Sequence, residues 1–382
     1  MDKFTKRLLQ FIRQEHLISQ GDSVIAGYSG GADSTCLLYA LSELSALLRL
    51  RLFAVHVNHG LRGAESMRDE QFCVETAAHL GIPLQVVRAD VRARAEQDSV
   101  SLEEAGRMIR YEAFEEARKK LLALQQKFPE AEGDGSGGSN SRRCRCGERA
   151  ESGRVLIATA HHADDQAETI LLNLFRGTGL SGLSGMHVRR GPVIRPLLFA
   201  SQREIAEWLS GRNIPYVTDS SNLSEDYTRN FLRNRILPEL SEHVNARTAQ
   251  HIRAAGQFCG EADCYLREEA RAFLAHFAEC REVFGETVKN IKIPHIPLKE
   301  KPQIFRRYVI IEALGCLCAP LRNIGERHLA DLDKALFAGR GFHLDLPNGI
   351  SADNLYQVTV LQISEKDQRT NKAVNSIKPD RI

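Results

Sequence analysis

Two short stretches of the sequence carry most of the residues that can do chemistry. Residues 29–34 read Ser-Gly-Gly-Ala-Asp-Ser, and residues 161–169 read His-His-Ala-Asp-Asp-Gln-Ala-Glu-Thr. Glycines and hydroxyls suit phosphate binding, because the backbone N–H groups of a glycine turn can approach an anion closely. Histidines and carboxylates suit magnesium binding, the binding of a cationic substrate, or proton transfer.

The first stretch lies between a predicted strand and a predicted helix. Residues 24–26 are apolar, and residues 36–44 repeat apolar side chains at helical spacing. The first turn of a helix has unpaired N–H groups, so we expect phosphates to be bound by six residues: Ser29, Gly30, Gly31, Ala32, Asp33 and Ser34. Because Asp33 places an acid among these groups, we expect Mg²⁺ to arrive with a bound nucleotide. A helix cap without a ligand is the open alternative.

The second stretch follows the apolar run Val155–Thr159, which is typical of a buried parallel strand. Asp165 and Glu168 are three residues apart at the start of the next predicted helix, so their side chains share one face. Simple helix capping by Asp164 and Asp165 is the alternative. Two histidines and three carboxylates in so short a run favour a reactive site.

Polar residues also follow the apolar run Leu52–Asn58, a further predicted parallel strand. Ligands in open α/β sheets bind beyond the carboxyl ends of the strands. We therefore expect three residues of this region near the nucleotide: His56, Asn58 and Arg62.

The composition is that of an ordinary globular protein. The chain has 382 residues, of which 43% are hydrophobic and 26% charged, and its net charge is +2. This charge excludes a protein-wide basic field, so any RNA surface must come from local clusters. Residues 227–235 form such a cluster of arginines, asparagines and aromatics, with a solvated face as the alternative. Nine cysteines without a framework indicate a reducing cytoplasm, and no apolar stretch is long enough to span a membrane.

The pattern along the chain predicts an α/β fold followed by a smaller, mainly helical domain. Residues 1–240 are expected to form a parallel sheet with helices on both faces, interrupted by a flexible Gly/Ser/Arg-rich insertion at about 129–153. Residues 241–364 are expected to be mainly helical, with a short pair of strands at 343–349 and 356–362. Residues 365–382 are expected to be a loose tail.

The order of the motifs resembles the N-type ATP pyrophosphatases of the PP-loop superfamily, and among them the tRNA(Ile)-lysidine synthase family. The resemblance is carried by residues 29–34, 56–62, 161–169, 176–186, 195–198, 219–222 and 229–235. It is specific as far as about residue 238 and weaker to about residue 362. The insertion is outside the family pattern, and the chain is shorter than the members that carry a further C-terminal domain.

The resemblance implies a fold, a reaction and partners. The fold is that of the adenine nucleotide alpha hydrolase-like PP-loop domain. The reaction would use ATP and Mg²⁺ to adenylate the C2 oxygen of the wobble cytidine in tRNA(Ile) with anticodon CAU. L-lysine would then displace AMP and form lysidine, which makes the enzyme a carbon–nitrogen ligase in the cytoplasm. The family also allows a homodimer.

The resemblance also implies residue roles. Asp33, Asp165 and Glu168 are expected to be catalytic, with Asp33 and Asp165 on the metal and Glu168 as first choice for the lysine amine. Five residues are expected to contact tRNA: Arg176, Asn230, Arg229, Arg233 and Arg235. Two other readings stay open, namely a PP-loop enzyme that thiolates tRNA and a catalytically silent tRNA-binding protein. No C-x-x-C pair lies near residues 29–34, which disfavours thiolation.

Overall fold

The computed structural model describes residues 1–61, 63–127, 153–218, 228–283, 287–317, 323–338, 341–355 and 357–363. Arg62, the 219–222 motif, the insertion as far as residue 152 and the tail lie outside the described residues. The chain forms two compact units. The first comprises Met1–Thr178 and Gly185–Gly256, and the second comprises Gly179–Ser184 and the chain from Gln257 onward.

The first unit is built on a six-stranded sheet with the order β3-β2-β1-β4-β6-β5. Its strands are β1 (Ser23–Gly27), β2 (Arg51–Asn58), β3 (Leu84–Arg88), β4 (Val155–Ala158), β5 (Arg189–Arg190) and β6 (Val193–Ile194). All neighbours pair in parallel except β5 and β6, which form a short antiparallel hairpin. Because β1 and β4 are adjacent at the centre, residues 29–34 and 161–169 leave the sheet side by side at its carboxyl edge.

Helices cover both faces of this sheet. The described helices of this unit are α1 (Lys3–Gln14), α2 (Ala32–Leu48), α3 (Ala64–His79), α4 (Val91–Asp98), α5 (Leu102–Lys127), α6 (Ala163–Phe175), α8 (Gln202–Ser210), α9 (Thr228–Phe231) and α10 (Leu237–His243). A π-helical turn, Leu232–Ile236, links α9 to α10. Val24 and Ile25 are both fully buried and, as neighbours on a strand, point to opposite faces. Val24 packs with α1, α2 and α8, whereas Ile25 packs with α5, which confirms the predicted two-sided arrangement.

An ion pair joins the starts of the two central strands. Asp22 precedes β1, Arg154 precedes β4, and Asp22 is buried. The backbone N–H of Arg154 donates to Asp22 Oδ1 at 2.8 Å, and Arg154 Nη2 donates to Oδ2 at 2.7 Å. This contact fixes the register at which the chain returns to the sheet after residue 152.

The second unit contains more strand than the sequence predicts. Its helices are α7 (Leu180–Leu183), α12 (Ile296–Lys299), α13 (Gln303–Cys316) and α14 (Glu326–Ala335), and the boundary between the units falls within α11 (Thr248–Phe277). An antiparallel sheet has the order β7-β8-β11-β10-β9, with β7 (Glu279–Val283), β8 (Thr287–Pro294), β9 (His343–Leu346), β10 (Ile350–Leu355) and β11 (Val358–Ile363).

The apolar patterns of β7 and β8 are too short to predict strands. β7 reads Glu-Cys-Arg-Glu-Val, with three charged residues among five. In β8, Ile291 and Ile293 are fully buried on either side of Lys292, which pairs with Glu279 of β7 at 2.9 Å, but this alternation covers only three residues. Only a few apolar residues therefore indicate each strand. Among the described residues, the unit contains a five-stranded sheet where the sequence predicts one pair of strands. In the described parts of the chain, no helix is both long enough and apolar enough to cross a membrane.

Candidate active site

The turn between β1 and α2 is shaped by its own hydrogen bonds. Gly30 has φ +85°, a left-handed conformation that favours glycine. Its carbonyl oxygen accepts from the hydroxyl of Thr35 at 3.1 Å and from the backbone N–H of Val217 at 2.9 Å. A Cβ on Gly30 would lie 3.1 Å from Cys73 Sγ, so the turn is also packed tightly from α3. With its carbonyl bound in this way, the turn presents the N-terminus of α2 to the space above the sheet.

The two predicted serines support the same turn. Ser34 Oγ lies 3.1 Å from Ser29 Oγ and accepts from the backbone N–H of Ser29 at 3.2 Å. It also contacts the carbonyl oxygen of Gly31 at 3.1 Å. Ser29, Gly30, Gly31, Ala32 and Ser34 thus form one preorganised loop, which we call the phosphate loop together with Asp33.

The phosphate loop opens into a cavity of about 630 Å³. This volume is in the range of small-molecule and cofactor sites. The cavity is lined by the carboxyl ends of β1 and β2, by α5 and by residues 159–161 and 216–218. His56 and Asn58, both predicted near the nucleotide, line it as well.

His56 and Asn58 have different surroundings. His56 Nδ1 lies 2.9 Å from the carbonyl oxygen of Tyr28, and burial lowers the pKa of the imidazole, so the ring is neutral with Nδ1–H donating. Asn58 is used by the protein itself. Its amide nitrogen donates to Glu70 at 2.8 Å and to the Ser66 carbonyl at 3.2 Å, and its oxygen accepts from Gly60 N–H at 3.0 Å. Asn58 therefore holds the turn after β2.

His162 lies between the phosphate loop and α6. Its Nδ1 accepts from the backbone N–H groups of Asp164 and Asp165, so the ring caps α6 and its proton is on Nε2. Nε2 lies 3.7 Å from Asp33 Oδ2 and 3.5 Å from Asp165 Oδ2. The structure therefore brings together Asp33 and Asp165, which are 132 residues apart in the chain. The expected capping by Asp165 also occurs, since its Oδ2 accepts from His162 N–H at 3.0 Å.

Glu168 is buried and held by two arginines. Arg233 binds it through Nε to Oε1 at 2.6 Å and through Nη2 to Oε2 at 3.0 Å. Arg229 Nε lies 3.2 Å from Glu168 Oε2, and Arg229 Nη2 donates to Thr169 Oγ1 at 2.8 Å. The pKa of Glu168 is raised, because its desolvation outweighs the attraction of Arg233.

The three carboxylates of the site differ in electrostatics. Burial raises the pKa of Asp33, although His162 opposes the shift. Burial would also raise the pKa of Asp165, but His162, His161 and Arg233 outweigh it and lower that pKa. Arg233 Nη2 donates to Asp165 Oδ1 at 2.7 Å, so this arginine bridges both acids of α6. Burial acts to lower the pKa of Arg233, yet its bonds to Glu168 raise it.

Two arginines of α5 line the cavity opposite the phosphate loop. Arg110 is exposed and makes no hydrogen bond or ion pair with any other residue that the structure describes. Arg107 lies beside it, with its guanidinium carbon 5.1 Å from the ring centroid of Tyr111. The sequence places both on an ordinary charged helix, where a solvated role is the default. Their helical spacing was the one available signal, and it does not distinguish a cavity face from a solvent face.

The predicted tRNA contacts fall into two groups. Arg176 at the end of α6 is exposed, and Arg235 is exposed beside Glu239, which it contacts at 3.2 Å. Asn230 is half-buried. Arg229 and Arg233, in contrast, face the acids of α6. The structure thus separates residues of one sequence cluster between a surface and the interior of the site.

Asp33 offers the position that suits Mg²⁺ best. Its Oδ1 has no hydrogen-bond partner within the described parts of the chain, so this oxygen is not committed to another protein group. Mg²⁺ is usually bound by one or two carboxylates together with substrate phosphates, and this donor set fits that pattern. Asp165 fits less well, because Arg233 and His162 N–H occupy its two oxygens. Among the described residues, no group of three or more His, Cys, Asp or Glu side chains forms a metal site without the substrate.

The chain is similar to known proteins over most of its length. The PP-loop domain family matches residues 1–125 and 148–240. The tRNA(Ile)-lysidine synthase of Chlorobaculum tepidum is 34% identical over 350 residues, which cover 91% of this chain and 96% of the relative. That of Clostridium perfringens is 30% identical over 372 residues, which cover 97% of this chain and 71% of the relative.

A solved structure of the U34-tRNA thiolase of Methanococcus maripaludis is a remote neighbour. It is 17% identical, covers 66% of this chain and 78% of its own, and has a TM-score of 0.45. At this distance it has no bearing on the reaction. The site is built on a PP-loop, and both the PP-loop match and the two curated relatives extend across it, so the chain belongs to the tRNA(Ile)-lysidine synthase family of PP-loop ligases.

Proposed function

We propose that this chain ligates L-lysine to C2 of the wobble cytidine in tRNA(Ile) with anticodon CAU, at the expense of ATP. One observation supports this proposal most strongly. The acids of α6 lie beside the phosphate loop, with His162 Nε2 within 3.7 Å of Asp33 and 3.5 Å of Asp165. The acids proposed to bind the nucleophile are thus adjacent to the loop proposed to bind ATP, as a two-step ligation requires.

In the first step, the C2 oxygen of the cytidine attacks the α-phosphorus of ATP. A bond forms between that oxygen and phosphorus, the bond to the bridging oxygen breaks, and pyrophosphate leaves. The phosphate loop holds the phosphates, and Arg110 and Arg107 place positive charge on the other side of the cavity. Mg²⁺ held by Asp33 would supply further charge to the leaving pyrophosphate.

In the second step, the ε-amine of lysine attacks C2 and AMP leaves. Lysine arrives as an ammonium ion, which has no lone pair, so a base must remove a proton before attack. Glu168 is suited to this role, since its raised pKa brings a carboxylate closer to neutral pH. Asp165 is the second choice, because its pKa is lowered.

The remaining predicted residues have supporting roles in this proposal. Arg176 and Arg235 are exposed and bind phosphates of the anticodon stem-loop, and Asn230 contacts the same RNA. Arg229 and Arg233 orient Glu168 and approach the RNA only from inside the site. His56 lies at the nucleotide, and Arg62 is assigned to the nucleotide from the sequence motif alone, since it lies outside the described residues. The glycine-rich segment, residues 177–186, follows α6 in the chain.

Two further parts of the proposal come from the family resemblance. We place the reaction in the cytoplasm, where tRNA and ATP are present and where free cysteines are stable. A homodimer remains a prediction, to be tested by the mass of the protein in solution.

The deciding experiment is ATP-dependent transfer of labelled lysine into tRNA. We expect label in tRNA(Ile) with anticodon CAU, no label without ATP, and no label in elongator tRNA(Met). Label in both tRNAs would retain the chemistry and overturn the proposed specificity. Pyrophosphate release without lysine transfer would contradict the ligase and return thiolation as the better proposal.

A further inference from the structure

We propose that Gln166 is a positioning residue for lysine transfer, because it clamps the end of the glycine-rich segment to the catalytic helix. This inference rests on the proposed function. Gln166 lies on α6 between Asp165 and Glu168, yet neither step of the reaction uses its side chain. Its role follows from what its amide group contacts.

Both polar atoms of this amide bind one residue. Gln166 Oε1 accepts from the backbone N–H of Met186 at 2.7 Å, and Nε2 donates to the backbone carbonyl of Met186 at 3.1 Å. Two bonds in opposite senses fix the position and the orientation of the backbone at Met186. The Met186 side chain is buried, so the contact is also anchored by packing. A residue of any other type at position 166 would lose at least one of these bonds.

Gly185 is shaped to receive the same amide. It has φ +71°, and a Cβ placed on it would lie 2.8 Å from Cδ, Oε1 and Nε2 of Gln166. All three nearest atoms belong to one side chain, so the absence of a Cβ serves this contact specifically. Gly177, at the other end of the segment, has φ +73°, but no atom of the residues that the structure describes lies within 4 Å of an added Cβ. The two glycines therefore share a backbone conformation and differ in whether a side chain fits.

The clamp lies where the segment rejoins the first unit. Residues 179–184 belong to the second unit, and the chain returns to the first unit at Gly185. The bonds to Met186 are thus a fixed point between that excursion and the helix that carries Asp165 and Glu168. Loss of the two bonds would let α6, which carries Glu168, shift relative to the backbone at Met186 without removing any group that touches ATP.

The test compares Gln166→Ala with the two glycine variants. We expect Gln166→Ala to slow lysine transfer to the adenylated tRNA about 100-fold, the scale of a misplacement of about 1 Å. The KM for ATP, pyrophosphate release and tRNA affinity should stay within about threefold of wild type, because the phosphate loop is untouched. Gly185→Ala should reproduce this loss, and Gly177→Ala should show only the cost of backbone strain.

The double variant gives the sharpest outcome. With Gln166→Ala in place the space beside Gly185 is vacant, so Gly185→Ala should add no more loss than Gly177→Ala does. Lysine transfer at the wild-type rate in Gln166→Ala would overturn the inference, as would full additivity of Gln166→Ala and Gly185→Ala. If Gln166→Ala does not fold, Gln166→Met is used instead. It keeps the length of the side chain and lacks both polar atoms, so the same loss of lysine transfer is expected. Failure of the wild-type protein to transfer lysine would instead refute the proposed function.

Discussion

The phosphate loop and the N-terminal half of α6 lie side by side and each carries an acid, but the two acids differ in their partners. Asp33 in the phosphate loop is half-buried, and its Oδ1 has no hydrogen-bond partner among the residues that the structure describes. Glu168 on α6 has both oxygens bound by Arg233. Asp33 can therefore take a cation that arrives with the substrate, whereas Glu168 is already paired with the cationic side chain of Arg233.

This difference shows how the two substrates meet the site. The phosphate loop is formed by backbone and hydroxyl bonds that do not occupy the anion position, so ATP can bind without breaking them. If the acids of α6 bind the ammonium of lysine as proposed, they have to exchange part of their contact with Arg233 for it. A buried acid that is left without any cation is costly, so Arg233 would stabilise the site before lysine binds.

The largest effect is expected at Asp33 in the phosphate loop. Asp33→Asn keeps the shape of the side chain but removes the negative charge that faces the phosphate loop. We expect pyrophosphate release to fall by about 100-fold or more, since charge stabilisation at the leaving group is lost. Asp164→Asn is the matched control, because Asp164 Oδ2 accepts from Gln202 N–H at 2.7 Å and serves the backbone. Equal losses in both variants would show that the open position at Asp33 has no special role.

The next largest effect is expected at Glu168, the acid bound by Arg233, and it is measured as a change in the stability of the protein. Arg233→Met leaves Glu168 buried without its main partner, so we expect the free energy of unfolding to fall by about 3–5 kcal/mol. Glu168→Gln in the same chain should restore most of this loss, because a neutral amide needs no cation. Denaturant unfolding of the single and double variants measures the coupling. If Arg233→Met causes the same loss of stability with and without Glu168→Gln, the loss does not come from the ion pair between Arg233 and Glu168. Lysine transfer should be absent in Glu168→Gln, while tRNA affinity is retained.

The smallest effect is expected behind the phosphate loop, at Glu70. Hydrogen bonds from Arg88 lower the pKa of Glu70 to about 2, although burial opposes the shift. A pKa below that of the unfolded chain means that the carboxylate stabilises the fold above about pH 4.5 and that this contribution is lost as the pH falls toward 2. Glu70→Gln should therefore lower the urea midpoint at pH 7 and make the decline between pH 5 and pH 3 less steep.

Glu75→Gln makes the same change of charge on the exposed face of α3 and serves as the control for Glu70→Gln. Parallel curves for wild type and Glu70→Gln across this pH range would contradict the assignment. In that case, the contacts of Glu70 with Asn58 and Arg88 would not contribute to the stability of the fold near the phosphate loop.

Local patterns account for what the sequence predicts well. The phosphate loop is specified by residues that are adjacent in the chain, and the glycine at position 30 has the positive φ that the turn needs. The strands on either side are continuous apolar runs, so the central sheet and its covering helices are confirmed. Asp165 and Glu168 share a helix turn, and their spacing alone predicts a common face.

Contacts between distant residues account for what the sequence does not predict. Arg233 is 65 residues from Glu168, and a basic cluster in the sequence does not reveal which of its members face inward. Arg110 resembles any charged helical residue until the fold places α5 over the cavity. The extra strands β7 and β8 are missed for another reason, since the alternation in β8 covers only residues 291–293 and β7 has three charged residues among five.

The ion pair between Asp22 and Arg154 has a consequence for how the enzyme can diverge. It fastens Arg154 before β4, and Gln125 near the end of α5 donates to Ser23 Oγ at 3.2 Å and to the Gly153 carbonyl at 3.3 Å, so both ends of the connection between α5 and β4 are held. The entropy of closing such a loop rises by only about 0.6 kcal/mol for each doubling of its length. We therefore expect that residues can be added to or removed from the stretch between α5 and β4 of this chain with little effect on the central sheet and its active site.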